Sequence, residues 1–311
     1  MKYFISTQHL SVNDVKDLAE QALKLSSLSS FSPILAGKIV ALAFFQPSTR
    51  TRLGCEVAVI RLGGNCIHLG DNSSLLKGES FEDTISTLAE FADCIVIRHP
   101  EEGAAEKAAK LVDISVVNGG DGRNELPMGG LLLFYQLYCY AIRRGKEVNE
   151  LSVLFYGSLK YSRACHSLIL ILGKFGVKML CACPDGLGLP EKYMMWIKDE
   201  GAVLEYIDSE IDLSQRDVLL IPEVAAHKRE LYKPAEFSEV EHFYKQITKE
   251  FLDRLRSDAL IMSVPPLAWE IPKELDGDPR QVYTKIPIDG MYTKMAVFAS
   301  LLAPSQQGNG Q

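Results

Sequence analysis

The chain has 311 residues, of which 47% are hydrophobic and 23% charged, with a formal net charge of −7. That length predicts two domains with a substantial core, and the acidic balance argues against a general nucleic-acid surface. No apolar run reaches the roughly 20 residues of a membrane span, the start Met1-Lys2-Tyr3-Phe4 lacks a leader pattern, and the seven scattered cysteines read as reduced thiols of a cytoplasmic protein.

Strand-like apolar runs fall at 38–45, 65–69, 93–98 and 114–117 in the first half, then at 151–156, 177–183, 203–207, 217–221 and 259–264. Helical spacing fills most of the intervals. The alternation predicts an α/β fold of two domains, each a mostly parallel sheet flanked by helices. A Gly- and Pro-rich break near 121–130 precedes a helix from Leu131 to Arg144. The domain boundary is therefore placed at 130, giving domains 1–130 and 131–288. A last helical run covers 289–302, and the tail 304–311 has no core-forming residues and is expected to be disordered. No Walker motif or Gly-x-Gly-x-x-Gly string occurs, and no metal site or cofactor is expected.

The segment Phe44-Phe45-Gln46-Pro47-Ser48-Thr49-Arg50-Thr51-Arg52 follows the strand Ile39–Ala43 and leads into helical spacing at Leu53, Val57 and Ile60. Three hydroxyls and two guanidinium groups thus meet the amide-rich, positive end of a helix, which is a site for phosphate. The bland alternative is an N-cap Ser48 with solvated arginines. Arg98 closes the strand Cys94–Ile97 and should emerge at its carboxyl end, where open α/β sheets bind ligands. It would otherwise pair with Glu101 or Glu102. His99, between Arg98 and Pro100, is read as structural.

These residues resemble the aspartate and ornithine carbamoyltransferase family, closest to the aspartate catalytic chain. The phosphate segment resembles Phe-Phe-Glu-x-Ser-Thr-Arg-Thr-Arg. Ser73-Ser74-Leu75-Leu76-Lys77-Gly78-Glu79-Ser80 resembles the family's mobile loop, Arg98-His99-Pro100 its Arg-His-Pro segment, Asn118-Gly119-Gly120-Asp121-Gly122 its Asn-Ala-Gly-Asp-Gly, and Gly157-Ser158-Leu159-Lys160-Tyr161-Ser162-Arg163 its Gly-Asp-Leu-Lys-Tyr-Gly-Arg. The islands run in the family's order over most of the chain. The resemblance implies a carbamoyl-phosphate-binding domain followed by an amino-acid-binding domain, with helix 289–302 packing back on the first. It implies phosphate contacts from Ser48, Thr49, Arg50, Thr51, Arg98, Ser73 and Lys77, with catalysis by Arg50, Thr51 and Arg98. Arg163, Lys77, Pro265 and Pro266 would hold the acceptor. It also implies a homotrimer, since the loop with Lys77 reaches a neighbouring subunit's site in this family. For Lys77 a solvated lysine, and for Arg163 a structural salt bridge, are the alternatives.

Six departures from the family bear on its substrates. Gln46 stands where the aspartate branch has Glu. Leu126 and Gly129 replace the His and Gln that hydrogen-bond the carbamoyl group. Glu223 and Ala225 replace the Arg and Gln of the Thr-Arg-x-Gln segment that binds the aspartate side chain, and Ser263 replaces the His of His-Pro-Leu-Pro. Leucine has no donor and glycine no side chain, and an acid in place of an arginine repels a second carboxylate. Glu223 would suit an acceptor with a cation or be a solvated loop acid. The expected function is transfer of a carbamoyl group from carbamoyl phosphate to the amine of an amino acid, not efficiently aspartate. The alternatives are a catalytically inactive paralogue serving as a binding or assembly partner, and an enzyme on a different phosphorylated or anionic substrate.

Overall fold

The computed structural model describes residues 1–69, 78–208, 211–224, 231–267 and 269–304. Its elements run β1 (Tyr3–Phe4), α1 (Val12–Ser26), β2 (Ile39–Phe44), α2 (Thr49–Arg61), β3 (Asn65–His68), α3 (Phe81–Phe91), β4 (Cys94–His99), α4 (Ala104–Leu111), β5 (Ser115–Asp121), α5 (Pro127–Arg143), β6 (Ser152–Tyr156), α6 (Arg163–Lys174), β7 (Lys178–Ala182), α7 (Glu191–Asp199), β8 (Leu204–Tyr206), β9 (Val218–Ile221), α8 (Pro234–Tyr244), α9 (Lys249–Asp253), β10 (Leu260–Ser263) and α10 (Ile286–Leu302). They form two compact units. One comprises Met1–Met128 with Pro287–Gln311, and the other Gly129–Ile286.

The first unit holds a five-stranded sheet of order β1-β5-β4-β2-β3, every pair parallel. Its strands read as near-continuous apolar runs because helices cover both faces of a parallel sheet. Ala41, Ala43, Ile95, Ile97 and Val116 pack on Ile85, Ala105 and Ala108 from the helices. Strand order reverses between β2 and β4, so the crevice beyond their carboxyl ends is a topological switch point. Phe44 lies opposite Arg98 in that register.

The second unit repeats the plan with order β10-β9-β6-β7-β8, again parallel throughout. Its core joins Leu154, Tyr156, Leu180, Leu219 and Ile221 to Val240, Tyr244 and Leu252. Here the order reverses between β6 and β9, which sets the loops after Tyr156 and Ile221 at the switch point.

Two helix starts differ from the sequence expectation. Helix α5 begins at Pro127 rather than Leu131, because proline suits the first helical position, where its missing N–H leaves no bond unmade. Gly129 and Gly130 then continue the helix instead of breaking it. A Cβ on Gly130 would lie 2.4 Å from the Ser167 Cβ, so glycine there serves close packing of α5 on α6. Helix α10 likewise starts three residues early, at Ile286.

Candidate functional site

In the first unit the chain leaves β2 at Phe44, is pinned by a Phe45 N–H bond to the Arg98 carbonyl at 2.8 Å, and enters α2 at Thr49. Ser48 occupies the N-cap position in an extended conformation, φ −160° and ψ 110°, yet its side chain makes no capping bond. The capping bond that the bland alternative assigns to this hydroxyl is therefore absent. Ser48 and Thr51 are half-buried, and Thr49 and Arg50 are exposed at the helix start. The first-turn amides and the positive helix end face the same solvent.

Arg98 is half-buried at the end of β4, and its Nη1 donates to the Gly119 carbonyl at 3.1 Å. Glycine suits position 119, since a Cβ there would lie 3.1 Å from the Ile97 carbonyl oxygen. The Asn118–Gly122 segment is a buried scaffold. Asn118 Nδ2 donates to the Ile5 carbonyl at 3.0 Å and to Asp121 Oδ1 at 2.8 Å, and its Oδ1 accepts from the Gly120 N–H at 2.7 Å. Asp121 Oδ2 accepts from the Gly103 N–H at 2.7 Å, which ties this turn to the start of α4.

Three further residues support this half-site. His99 packs edge-on against Phe45 and Phe81, with centroids 4.9 and 5.2 Å away, and its Nδ1 accepts from the Glu101 N–H at 3.1 Å. Burial lowers its pKa below the usual histidine value, which suits a neutral, structural ring. Glu125 is buried at 1% exposure and accepts from the Ser6 hydroxyl, the Thr7 N–H at 3.1 Å and the Thr7 hydroxyl at 2.7 Å. It fixes the chain just before Leu126, which is half-buried ahead of α5, and Gly129 is the third residue of that helix. Lys294 of α10 is buried. Its Nζ donates to the Gly290 carbonyl at 3.0 Å and would lie 3.2 Å from a Cβ on Gly54 of α2, and burial lowers its pKa. Sequence reasoning passed over Lys294, whose signal was a lone cation amid Met291, Met295, Val297 and Phe298.

In the second unit Arg163 is the first residue of α6, half-buried, with Ser162 at the N-cap. Glu223 follows β9 and is only 7% exposed, so it is not the solvated loop acid the sequence allowed. Its Oε2 accepts from the Ser162 hydroxyl at 2.6 Å. Ser263 ends β10, fully buried, and its hydroxyl donates to the Ile221 carbonyl at 2.8 Å. Pro265 is half-buried and Pro266 exposed, and the bond between them is cis. Gln46 lies half-buried in the turn between β2 and α2. Ser73, Lys77 and Ala225 lie outside the described residues. Among the described residues no helix is long and apolar enough to cross a membrane.

Two open parallel sheets, each with polar and charged side chains near its switch point, define a doubly wound, two-unit α/β protein. Comparison with known proteins narrows this class. Residues 2–138 match the carbamoyl-phosphate-binding domain model of the aspartate/ornithine carbamoyltransferases, and residues 149–301 match the aspartate/ornithine-binding domain model. The aspartate carbamoyltransferase catalytic subunit of Thermoplasma acidophilum is 34% identical over 293 residues, 94% of each chain. That of Methanopyrus kandleri is 38% identical over 273 residues, 86% of each. Aspartate transcarbamoylase from Trypanosoma cruzi, solved with carbamoyl phosphate and aspartate, superposes with a TM-score of 0.85 at 26% identity over 97% of each chain. The catalytic subunit from M. Jannaschii gives 0.84 at 31% identity, covering 99% of this chain and 100% of that one. The chain belongs to the aspartate/ornithine carbamoyltransferase family.

Proposed function

We propose that this protein binds carbamoyl phosphate through its first unit and passes the carbamoyl group to the amine of an amino acid other than aspartate, bound through its second. The observation that carries the reading is the contrast between the two switch points. Ser48, Thr49, Arg50, Thr51 and Arg98 stand at the carboxyl ends of β2 and β4, whereas the second unit has a buried carboxylate, Glu223, that accepts from the hydroxyl of Ser162, the residue before Arg163.

In the proposed reaction the amine attacks the carbonyl carbon of carbamoyl phosphate. The C–N bond forms, the carbon–oxygen bond to phosphate breaks, phosphate leaves with the electron pair, and the amine proton passes to the departing phosphate. Arg50 and Arg98 would neutralise the departing phosphate, and Thr51 and the α2 amides would donate to the oxyanion. The hydrogen bond from Arg98 to Gly119 orients the guanidinium. Leu126 and Gly129 offer no side-chain donor where relatives by motif carry His and Gln, and one lost oxyanion donor costs about 3–4 kcal/mol. Turnover is therefore slow even with the right acceptor. The same loss favours a second reading, a carbamoyl-phosphate-binding partner chain without turnover.

We further propose a homotrimer. Its support in the structure is α2, where Leu53, Val57 and Ile60 are 44%, 41% and 56% exposed. Their spacing of four and three sets them on one helix face, an apolar stripe that self-association would cover. Light scattering of the 34.5 kDa chain at micromolar concentration should give three times that mass, and a monomer would overturn this part.

Incubation with carbamoyl phosphate and a panel of amino acids, with product detected by mass, tests the transfer. A carbamoylated product with one non-aspartate amino acid supports the enzyme. Phosphate binding without any product supports the partner chain, and efficient carbamoylation of aspartate refutes both.

A further inference from the structure

We propose that Cys181 and Cys183 form a peroxide-reactive dithiol at the carboxyl end of β7, and that its oxidation to a disulfide shifts the loop after β6. This modification site stands apart from the transfer reaction and does not depend on which acceptor the protein takes. Residues two apart on a strand face the same way, so Cys181-Ala182-Cys183 sets both thiols on one side of β7. The two thiols are hydrogen-bonded to each other. Cys181 is fully buried, in register with Phe155 of β6 and Tyr206 of β8. Cys183, just past the strand, is half-buried and open to a small solute. Cys165 of α6, Tyr206 and Asp185 are the other titratable groups around the pair.

The bond between the thiols divides their roles. The Cys181 S–H donates to the Cys183 sulfur and holds the Cys183 pKa below the usual thiol value, while the same bond and then burial push Cys181 up. The reachable thiol is thus the more readily ionised one, and the thiolate is the nucleophile. The Cys183 thiolate attacks one oxygen of hydrogen peroxide, the O–O bond breaks, and hydroxide leaves to take up the thiol proton as water. That gives a sulfenic acid. The Cys181 sulfur then attacks the sulfenic sulfur, the S–S bond forms, the S–O bond breaks, and the hydroxyl departs as water with the Cys181 proton. Two thiols and one peroxide yield one disulfide and two waters.

Closing that ring moves backbone. Two residues of extended strand span about 6.4–6.8 Å, whereas bridged cysteines usually bring their Cα atoms to about 5.5–6 Å. The disulfide therefore draws the chain in at Ala182. The Ala182 carbonyl accepts from the Gly157 N–H at 2.8 Å, and the Leu187 carbonyl beyond it accepts from the Leu159 N–H at 2.9 Å and the Lys160 N–H at 3.2 Å. The Ser158 hydroxyl also donates to the Leu187 carbonyl, at 3.4 Å. Segment 182–187 thus carries the start of the loop that joins β6 to α6, and a displacement at Ala182 weakens the bonds that hold it.

Treatment of the full chain with hydrogen peroxide, followed by blocking of the remaining thiols, tryptic digestion and mass spectrometry, tests the site. Peptide 179–192 holds both thiols and no other cysteine. It should lose two hydrogen atoms and escape blocking, and a thiol reductant should restore it. Cys181→Ser should leave Cys183 as a sulfenic acid trapped by dimedone, and Cys183→Ser should leave Cys181 unoxidised. Should Cys181→Ser fail to fold, Cys181→Ala carries the same expectation. Hydrogen exchange at the amides of Gly157, Leu159 and Lys160 should be about tenfold faster in the oxidised protein, and peroxide should not change it in Cys183→Ser. A peptide fully blocked after peroxide, a sulfinic acid in place of the disulfide, a bridge from either thiol to Cys165, or unchanged exchange in an oxidised sample overturns the proposal.

Discussion

Glu125→Ala should be among the most damaging substitutions in the first unit. The carboxylate is 1% exposed and takes three bonds from the amino-terminal segment, from the Ser6 hydroxyl, the Thr7 hydroxyl at 2.7 Å and the Thr7 N–H at 3.1 Å. Thr7 itself is fully buried, so truncation takes the Glu125 acceptor oxygens away from a buried N–H and hydroxyl. Hydrogen bonds to a charged group contribute about 1.5–3 kcal/mol each and a stranded donor costs about 1–3. Shared contacts do not add simply, which gives a loss of about 3–5 kcal/mol against a total domain stability of about 5–15. Glu125→Gln keeps the shape and one acceptor oxygen and should lose about half as much. Urea titration followed by circular dichroism measures both. A loss below about 1 kcal/mol for Glu125→Ala would refute the view that this buried acid organises the turn ahead of α5.

Two further outcomes follow from buried bases. The His99 pKa, followed by its ring-proton NMR shift, should lie below 6.5, with burial as the main cause. The unfolded chain then binds the proton more readily, so stability falls as pH drops from 6.5 toward the depressed value. His99→Phe should flatten that part of the profile, and an unchanged slope would exclude His99 as its source. Lys294→Met should raise the melting temperature at neutral pH by about 2–8 °C, because a buried ammonium with one carbonyl partner gives way to an apolar chain of similar length. The wild type's deficit should shrink as pH rises from the lowered pKa toward 10.5, where the unfolded chain still binds the proton and the folded one does not. A destabilised Met variant would contradict this.

The strand framework was legible because both sheets are parallel and covered on two faces, so β2, β4, β6 and β9 appear as uninterrupted apolar runs. The strand-to-helix turn ahead of Thr49 was legible for the same reason, since β2 ends at Phe44 and the helical spacing starts just beyond. The two-residue β1 was not, because two residues carry no periodicity. The start of α5 was misplaced since Gly129 and Gly130 look like a breaker until Ser167 is seen packed against Gly130. Glu223 read equally well as a loop acid, because its partner Ser162 lies 61 residues away and no local pattern joins them. The anchoring of Thr7 by Glu125, 118 residues apart, is hidden for the same reason.

Calorimetric titration of the wild type and Arg50→Ala with carbamoyl phosphate tests the central claim most directly. The account predicts saturable binding by the wild type, weakened in the variant by about 1.5–3 kcal/mol, the contribution of a charge-assisted bond. Equal affinity of the two proteins, or no binding by either, would contradict it.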